Sequence, residues 1–340
     1  MVDTAVLVTG GTGYVARACI ALLLDKGYTV RTTVRDLSRR DVVRQAVDPQ
    51  GLAGDRLQFA AADLLADPGW DAAVRGCRHV LHVASPLGLG SATEQQMVET
   101  ARGGTLRVLA AAERAGVERV VLTSAANASS PASYEEEGVT DETLWTDPDA
   151  PGLVPYRRSK TLAEKAAWDF IGREGSGGTT LTTILPGAVF GPALSPDNLH
   201  SVQVIGRLMR GEMPGLPRIG FEVVDVRDLA DLHVRAMLAP AAAGERILAT
   251  GEFLWMEEIA TTLRERCGAG AARVPTQVLP DALVRQLAET QPEVREIAVA
   301  LGRRNRHSTE KARRLLGWVP RPARDTVADC GQSLIAWGLA

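Results

Sequence analysis

A short apolar run ends after eight residues in Thr9-Gly10-Gly11-Thr12-Gly13-Tyr14-Val15-Ala16, and a helical pattern begins at once. Val6, Leu7 and Val8 read as the buried run of a central strand, and Ile20, Leu23 and Leu24 then fall on one helical face before a Lys26-Gly27 stop. Glycines spaced G-x-x-G-x-x-A bare the backbone at the turn, while the first helical N–H groups and the positive end of the helix dipole aim at the same point. Small Ala16 lets helix and strand approach closely. All of this suits the pyrophosphate of a dinucleotide, with Thr9 to Val15 around it. The alternative is a purely structural turn, which the position at the head of a β-α-β pattern disfavours. No Lys-Ser or Lys-Thr follows, so a triphosphate-binding loop is not indicated.

The first half continues in that alternation. Strands are expected at Thr4 to Thr9, Thr29 to Val34, Leu57 to Ala61, Val80 to Ala84, Arg119 to Thr123 and Leu181 to Leu185, with helices near 14–26, 38–46, 69–75, 92–115 and 155–172. That pattern is α/β, a doubly wound parallel (Rossmann) sheet. From Pro186 to Gly220 proline and glycine are frequent, and helical pieces follow near 201–210, 255–266, 280–301 and 325–337. Asp225 to Met237 is expected to return to the sheet, with a strand at Val223 to Val226 and a helix at Leu229 to Leu238. The expected division is a nucleotide-binding domain over 1–186 and 222–250, and a smaller, partly helical substrate cap over 187–221 and 251–340.

With 340 residues, 45% of them hydrophobic and 23% charged, the chain can bury an enzyme-sized core. A net charge of -3 with no basic block gives polyanions nothing to bind, so nucleic acid is not an expected partner. No apolar run nears the twenty or so residues that span a bilayer, and Met1-Val2-Asp3 lacks a basic signal start, so a cytoplasmic protein without a membrane partner is expected. The cysteines, at 19, 77, 267 and 330, stand singly, and the five histidines show no ligand spacing; reduced core thiols and no metal are expected.

The end of the second strand bears on the choice of nucleotide. A carboxylate there suits the free ribose of NAD, and arginine suits the 2′-phosphate of NADP. Here Val34 is followed by Arg35, with Arg39 and Arg40 close behind, and guanidinium groups take phosphate bidentately. Asp36 points the other way, and an arginine-rich solvated face is the bland reading; the three arginines favour NADP(H). Asp63 and Leu64, just past the third strand, are in position to border the adenine.

Tyr156-Arg157-Arg158-Ser159-Lys160 sets a phenol and an ammonium four residues apart, on one helical face if Pro155 opens the helix. Only four tyrosines and four lysines occur in 340 residues, so a chance pairing at this spacing is rare. The ammonium, with the positive nicotinamide of an oxidised cofactor, favours phenolate, and bringing a phenol from 10 to near 7 takes about 4 kcal/mol of differential interaction. Such a tyrosine exchanges a proton with a carbonyl oxygen near neutral pH. A surface Tyr beside a solvated Lys is the bland alternative.

Together these two motifs resemble the extended short-chain dehydrogenase/reductase superfamily. Thr32-Thr33-Val34-Arg35, His82-Val83-Ala84-Ser85-Pro86, Asp141-Glu142-x-x-Trp145, Ser159 to Trp168, Pro186-Gly187-Ala188-Val189-Phe190-Gly191-Pro192 and Leu315-Leu316-Gly317-Trp318-x-Pro320 narrow it to the dihydroflavonol reductase, cinnamoyl-CoA reductase and yeast-type carbonyl (aldehyde) reductase group. The resemblance implies NADPH-dependent reduction of an aldehyde or ketone, with a small-molecule carbonyl partner and a monomer or homodimer. It implies Tyr156 as proton donor, Lys160 on the nicotinamide ribose, and Val83, Ala84, Ser85, Thr123 and the Pro186, Gly187, Ala188, Val189 segment along the cofactor. The family's second Ser after the fifth strand aligns with Ala125 in Thr123-Ser124-Ala125-Ala126-Asn127, so Ser124 or Asn127 is expected to supply the donor to the carbonyl. Neighbours on extended chain face opposite sides, which weighs on Ser124.

Leu87, Phe190, Met209, Leu254 and Trp255 are candidates for an apolar substrate pocket, with Asn127 at its edge. The rival readings are a sugar-nucleotide epimerase or dehydratase, a hydroxysteroid dehydrogenase, or a non-catalytic NADP-sensing regulator on the same scaffold.

Overall fold

The computed structural model describes residues 5–86, 93–131, 138–173 and 178–340. The strands are β1 (Ala5–Val8), β2 (Val30–Val34), β3 (Leu57–Ala61), β4 (Cys77–His82), β5 (Arg119–Thr123), β6 (Val139–Thr140), β7 (Thr180–Pro186), β8 (Ala188–Phe190), β9 (Gly220–Asp225), β10 (Arg246–Ala249), β11 (Phe253–Trp255) and β12 (Arg306–His307). The helices are α1 (Tyr14–Asp25), α2 (Arg40–Val47), α3 (Trp70–Val74), α4 (Glu94–Arg114), α5 (Pro155–Ile171), α6 (Gln203–Met209), α7 (Val226–Leu238), α8 (Met256–Cys267), α9 (Asp281–Thr290), α10 (Pro292–Ala298), α11 (Glu310–Leu316) and α12 (Ala323–Ala336).

Seven strands pair in parallel in the order β3-β2-β1-β4-β5-β7-β10. Strand order reverses between β1 and β4, which opens a crevice at their carboxyl ends, where doubly wound sheets bind ligands. Successive residues of a strand face opposite sides, and the core divides accordingly. Val6, Leu81, Val121, Ile184 and Ile247 join one apolar cluster with α1 and α7. Leu7, Val80, Val120, Leu122 and Leu181 join the other, under Trp70 of α3, Leu109 of α4 and Ala167 of α5. The first cluster runs on through Phe190, Leu254, Leu263 and Val327, so the C-terminal elements share a core with the sheet.

Four points differ from expectation. The strand expected at Val223 to Val226 does not rejoin the main sheet; β9 pairs with β8 and β11 in a separate three-stranded sheet. The seventh main-sheet strand is β10, beside β7; its run Arg246-Ile247-Leu248-Ala249 opens on an arginine and lacks the all-apolar run that marks β1. The helix expected over 280–301 breaks into α9 and α10 at Gln291, extended at φ -113° and ψ 108° because Pro292 follows it. β4 ends at His82, two residues early, leaving Val83 to Pro86 as loop beside the crevice.

One hydroxyl fixes that crevice. Thr9 Oγ1 accepts the N–H groups of Val83 and Ala84, both at 3.0 Å, and lies 2.9 Å from His82 Nδ1. With both acceptor sites used, its proton goes to Nδ1, which assigns His82 the Nε2–H tautomer. Burial, reinforced by the Lys160 charge, pulls the His82 pKa down to about 3 and keeps the ring neutral. Thr9→Val removes the acceptor from two part-buried amides and is expected to lower unfolding free energy by about 2–4 kcal/mol in urea titration.

Candidate active site

A cleft of about 1480 Å³ follows the carboxyl edge of the sheet and continues under the C-terminal elements. Drug-sized ligands occupy roughly 300–1,000 Å³, so two reactants have room.

At one end stands the glycine turn. Gly10 has φ +74°, and a Cβ there would lie 2.9 Å from the Ala84 Cβ; one on Gly13 would lie 3.2 Å from the Gly10 carbonyl oxygen. Only glycine holds this cradle. Gly13 precedes α1 and no side chain caps the helix, so its first N–H groups face the cleft without a competing acceptor from Gly13. Gly10, Thr12, Gly13, Tyr14 and Val15 line the cleft, whereas Thr9 and Gly11 do not. Thr9 is buried in the clamp on β4, and Gly11 lies against β2, where a Cβ would come within 2.4 Å of Thr32 Oγ1. Tyr14 spends its hydroxyl on the Gly191 carbonyl (2.8 Å).

Beyond β2, Arg35 and Arg39 line the cleft; Arg40, expected with them, turns outward and contacts Asp41 at 3.6 Å. The Asp36 carboxylate accepts the Ser38 N–H (2.8 Å), and that bond lowers its pKa. It caps a 3-10 turn. Asp63 and Leu64 line the next stretch, then Val83, Ala84 and Ser85. Pro186, Gly187, Ala188, Val189 and Thr123 line it as well.

Pro155 opens α5, and Tyr156 and Lys160 both face the cleft from it. Lys160 Nζ donates to the Thr123 carbonyl (3.4 Å), and Thr123 Oγ1 lies 2.8 Å from Nε2 of buried His233. Burial draws the Lys160 ammonium down to about 8, with Glu164 opposing. Burial alone pushes the Tyr156 phenol up to about 12. The phenolate expected from the Tyr-Lys spacing is therefore not favoured by the protein itself; the phenol holds its proton.

Ser124 borders the cleft but does not offer it a proton. Its hydroxyl donates to Glu164 Oε2 (2.6 Å), while Oε1 accepts from Thr183 (2.8 Å) and from Arg246 Nε (2.8 Å). Arg246 also donates to the carbonyls of Leu144 (2.9 Å) and Ala128 (3.2 Å), and its guanidinium lies 3.6 Å from the Trp145 ring centroid. Glu142 accepts the Leu248 N–H (3.0 Å), so the Asp141-Glu142-x-x-Trp145 motif is a brace that ties the loop after β5 to β10. With the Ser124 proton committed to a carboxylate, the other residue in contention is Asn127. It is half-buried at the cleft, and its side-chain amide has no protein partner among the described residues.

The substrate end differs most from expectation. Leu87 lies outside the described residues. Phe190 and Met209 are fully buried, and Leu254 is core. Phe190 packs edge-on behind Phe221, and Trp255 packs edge-on to Phe253. Phe221 and Phe253 line the cleft instead, with Ile219, Ile297, Ala300, Arg303, Asn305 and His307. Neither motif nor periodicity marks these positions, because chain topology alone brings residues 297–307 back across the cleft through β12 pairing with β6. His307 is tied to Glu222 and to Ser130 Oγ (2.8 Å), which fastens that wall.

A parallel sheet with its crevice at a glycine turn, and a Tyr-x-x-x-Lys helix farther along the same cleft, defines the class of extended short-chain dehydrogenases and their relatives. The chain belongs to the NAD dependent epimerase/dehydratase family, which it matches over residues 6–249. It is 39% identical over 249 residues to cinnamoyl-CoA reductase CAD2 of Medicago truncatula, covering 72% of this chain and 75% of that protein. It is 35% identical over 256 residues to an anthocyanidin reductase of Vitis vinifera, covering 71% and 74%. The structure superposes on Gre2 from Candida albicans, solved in complex with NADPH, with a TM-score of 0.79 at 26% identity, over 98% of this chain and 99% of that one. Among the described residues no helix is long and apolar enough to cross a membrane.

Arg246→Met leaves the Glu164 carboxylate buried without its cation and is expected to cost about 3–5 kcal/mol of stability, read by urea unfolding.

Proposed function

We propose that the protein is an NADPH-dependent carbonyl reductase that converts an aldehyde or ketone to the alcohol. The observation that carries this reading is one cleft holding both an uncapped glycine-turn helix and the Tyr156-Lys160 pair. Relatives named as reductases, and a structural neighbour solved with NADPH, support it.

The residues fit the nucleotide. The turn and the α1 N-terminus would hold the pyrophosphate, Arg35 and Arg39 a 2′-phosphate, Asp63 and Leu64 the adenine side, and Lys160 the nicotinamide ribose. When bound, NADPH supplies hydride to the carbonyl carbon. The chain does the rest. Tyr156, protonated at every ordinary pH, donates its proton to the carbonyl oxygen. Lys160 stabilises the negative charge left on the phenol oxygen, and the Asn127 amide donates to the developing oxyanion in place of the hydroxyl missing at Ala125. The walls of the cleft hold both reactants in register and keep water from the proton.

NADPH and NADH consumption against a panel of aldehydes, ketones and ketoesters tests the reading, with Tyr156→Phe as control. Turnover with NADPH, abolished by that variant, is expected; no oxidation of either nucleotide by any substrate would favour the NADP-sensing regulator. Loss of one oxyanion donor costs roughly a hundredfold in kcat, so Asn127→Ala is expected to fall by about that much while Ser124→Ala changes kcat by less than about threefold and loses stability instead. Lys160 is an ammonium below about pH 8 and neutral above it, so kcat/KM is expected to fall as pH rises through 8, a limb that Lys160→Met removes along with most activity.

A further inference from the structure

A loop from the second half of the chain lies over the nucleotide end of the cleft. Asn198 Nδ2 donates to the Thr12 carbonyl (3.1 Å), Arg17 Nη1 donates to the Asp197 carbonyl (3.0 Å), and the Asp197 carboxylate stands 3.6 Å from Arg39 Nη2. Asn198 has φ 55°, the only non-glycine residue in the left-handed region among those described, a conformation asparagine tolerates better than most. Asn198, His200 and Ser201 line the same cleft as Thr12, Gly13 and Arg39. One bond thus fastens the loop to the glycine turn and another to α1, and its carboxylate is presented to an arginine that lines the cleft.

We propose that Asp197 is a specificity-determining residue for the nucleotide. Its carboxylate is the resident counter-ion of Arg39, and it sets how strongly that arginine distinguishes a nucleotide carrying a 2′-phosphate from one that does not. The proposal rests on the nucleotide reading given above.

The Arg39 and Asp197 side chains are 47% and 46% exposed, so their ion contact is weak and exchanges readily with a phosphate. The carboxylate nevertheless stays close, because the loop that carries it is held by other bonds. A 2′-phosphate brought to Arg39 meets that negative charge, whereas a 2′-hydroxyl does not. Asp36, another carboxylate at this end, accepts the Ser38 N–H in capping a turn. Asp197 therefore tempers the preference for the phosphorylated nucleotide without touching the pyrophosphate cradle.

The test is direct binding of NADPH and NADH, by calorimetry or fluorescence titration, to the wild type, Asp197→Asn, Arg39→Ala and the double variant. Asp197→Asn is expected to tighten NADPH about three- to tenfold at low salt and leave NADH unchanged; the gain shrinks in 0.5 M salt and vanishes on the Arg39→Ala background. Equal change for both nucleotides, no change in their ratio, or a gain that persists without Arg39 overturns the assignment. A wild type that binds neither nucleotide overturns the nucleotide reading itself, and the assignment falls with it.

Discussion

A carboxylate with no exposure to water must be surrounded by donors, and Glu164 organises the middle of this molecule for that reason. Ser124, Thr183 and Arg246 converge on it from the residue just past β5, from β7 and from β10, three adjacent strands, while Glu164 itself comes from α5. The helix carrying Tyr156 and Lys160 is thereby locked to the sheet at the level of the reacting groups. The same bonds take the Ser124 hydroxyl out of play: residues 124 to 127 all border the cleft, but the Ser124 proton goes to the carboxylate.

Electrostatics in the cleft follow from burial more than from charge. Tyr156 and Lys160 are displaced in opposite directions by the same cause, loss of water, which disfavours phenolate and ammonium alike. In the proposed reductive direction that suits the task, since the acid must hold its proton until the carbonyl oxygen develops charge. Neighbouring His82 and His233 are kept neutral by burial, so Lys160 has no cationic imidazole competing with it.

Much of this was legible in the amino-acid order. Val6 to Val8 and the glycine turn carry their structure locally, because a fully buried strand and a bare turn need particular residues at particular positions. Tyr156 and Lys160 were legible for the same reason, a fixed helical spacing. Phe190 and Met209 were misread as pocket lining, since apolar residues suit a core and a pocket equally well and only packing separates them. β10 lacks an all-apolar run, because it opens on Arg246, and no local pattern brings Asn198 and Arg303 to the cleft. The Ser124 hydroxyl was half legible: alternation along extended chain gave its direction, and the carboxylate that receives it lies forty residues on.

The family match ends at residue 249, and Phe253, Ile297, Ala300, Arg303, Asn305 and His307 all lie past that point. The cleft is thus assembled from two stretches of chain: one inside the family match, carrying the glycine turn and the Tyr156-Lys160 pair, and a terminal segment that supplies much of the wall at the other end. Substitutions in that segment leave the Glu164 lock and the glycine cradle untouched. The wall at that end can therefore vary in sequence while the partners of Glu164 and the residues of the glycine turn stay as they are.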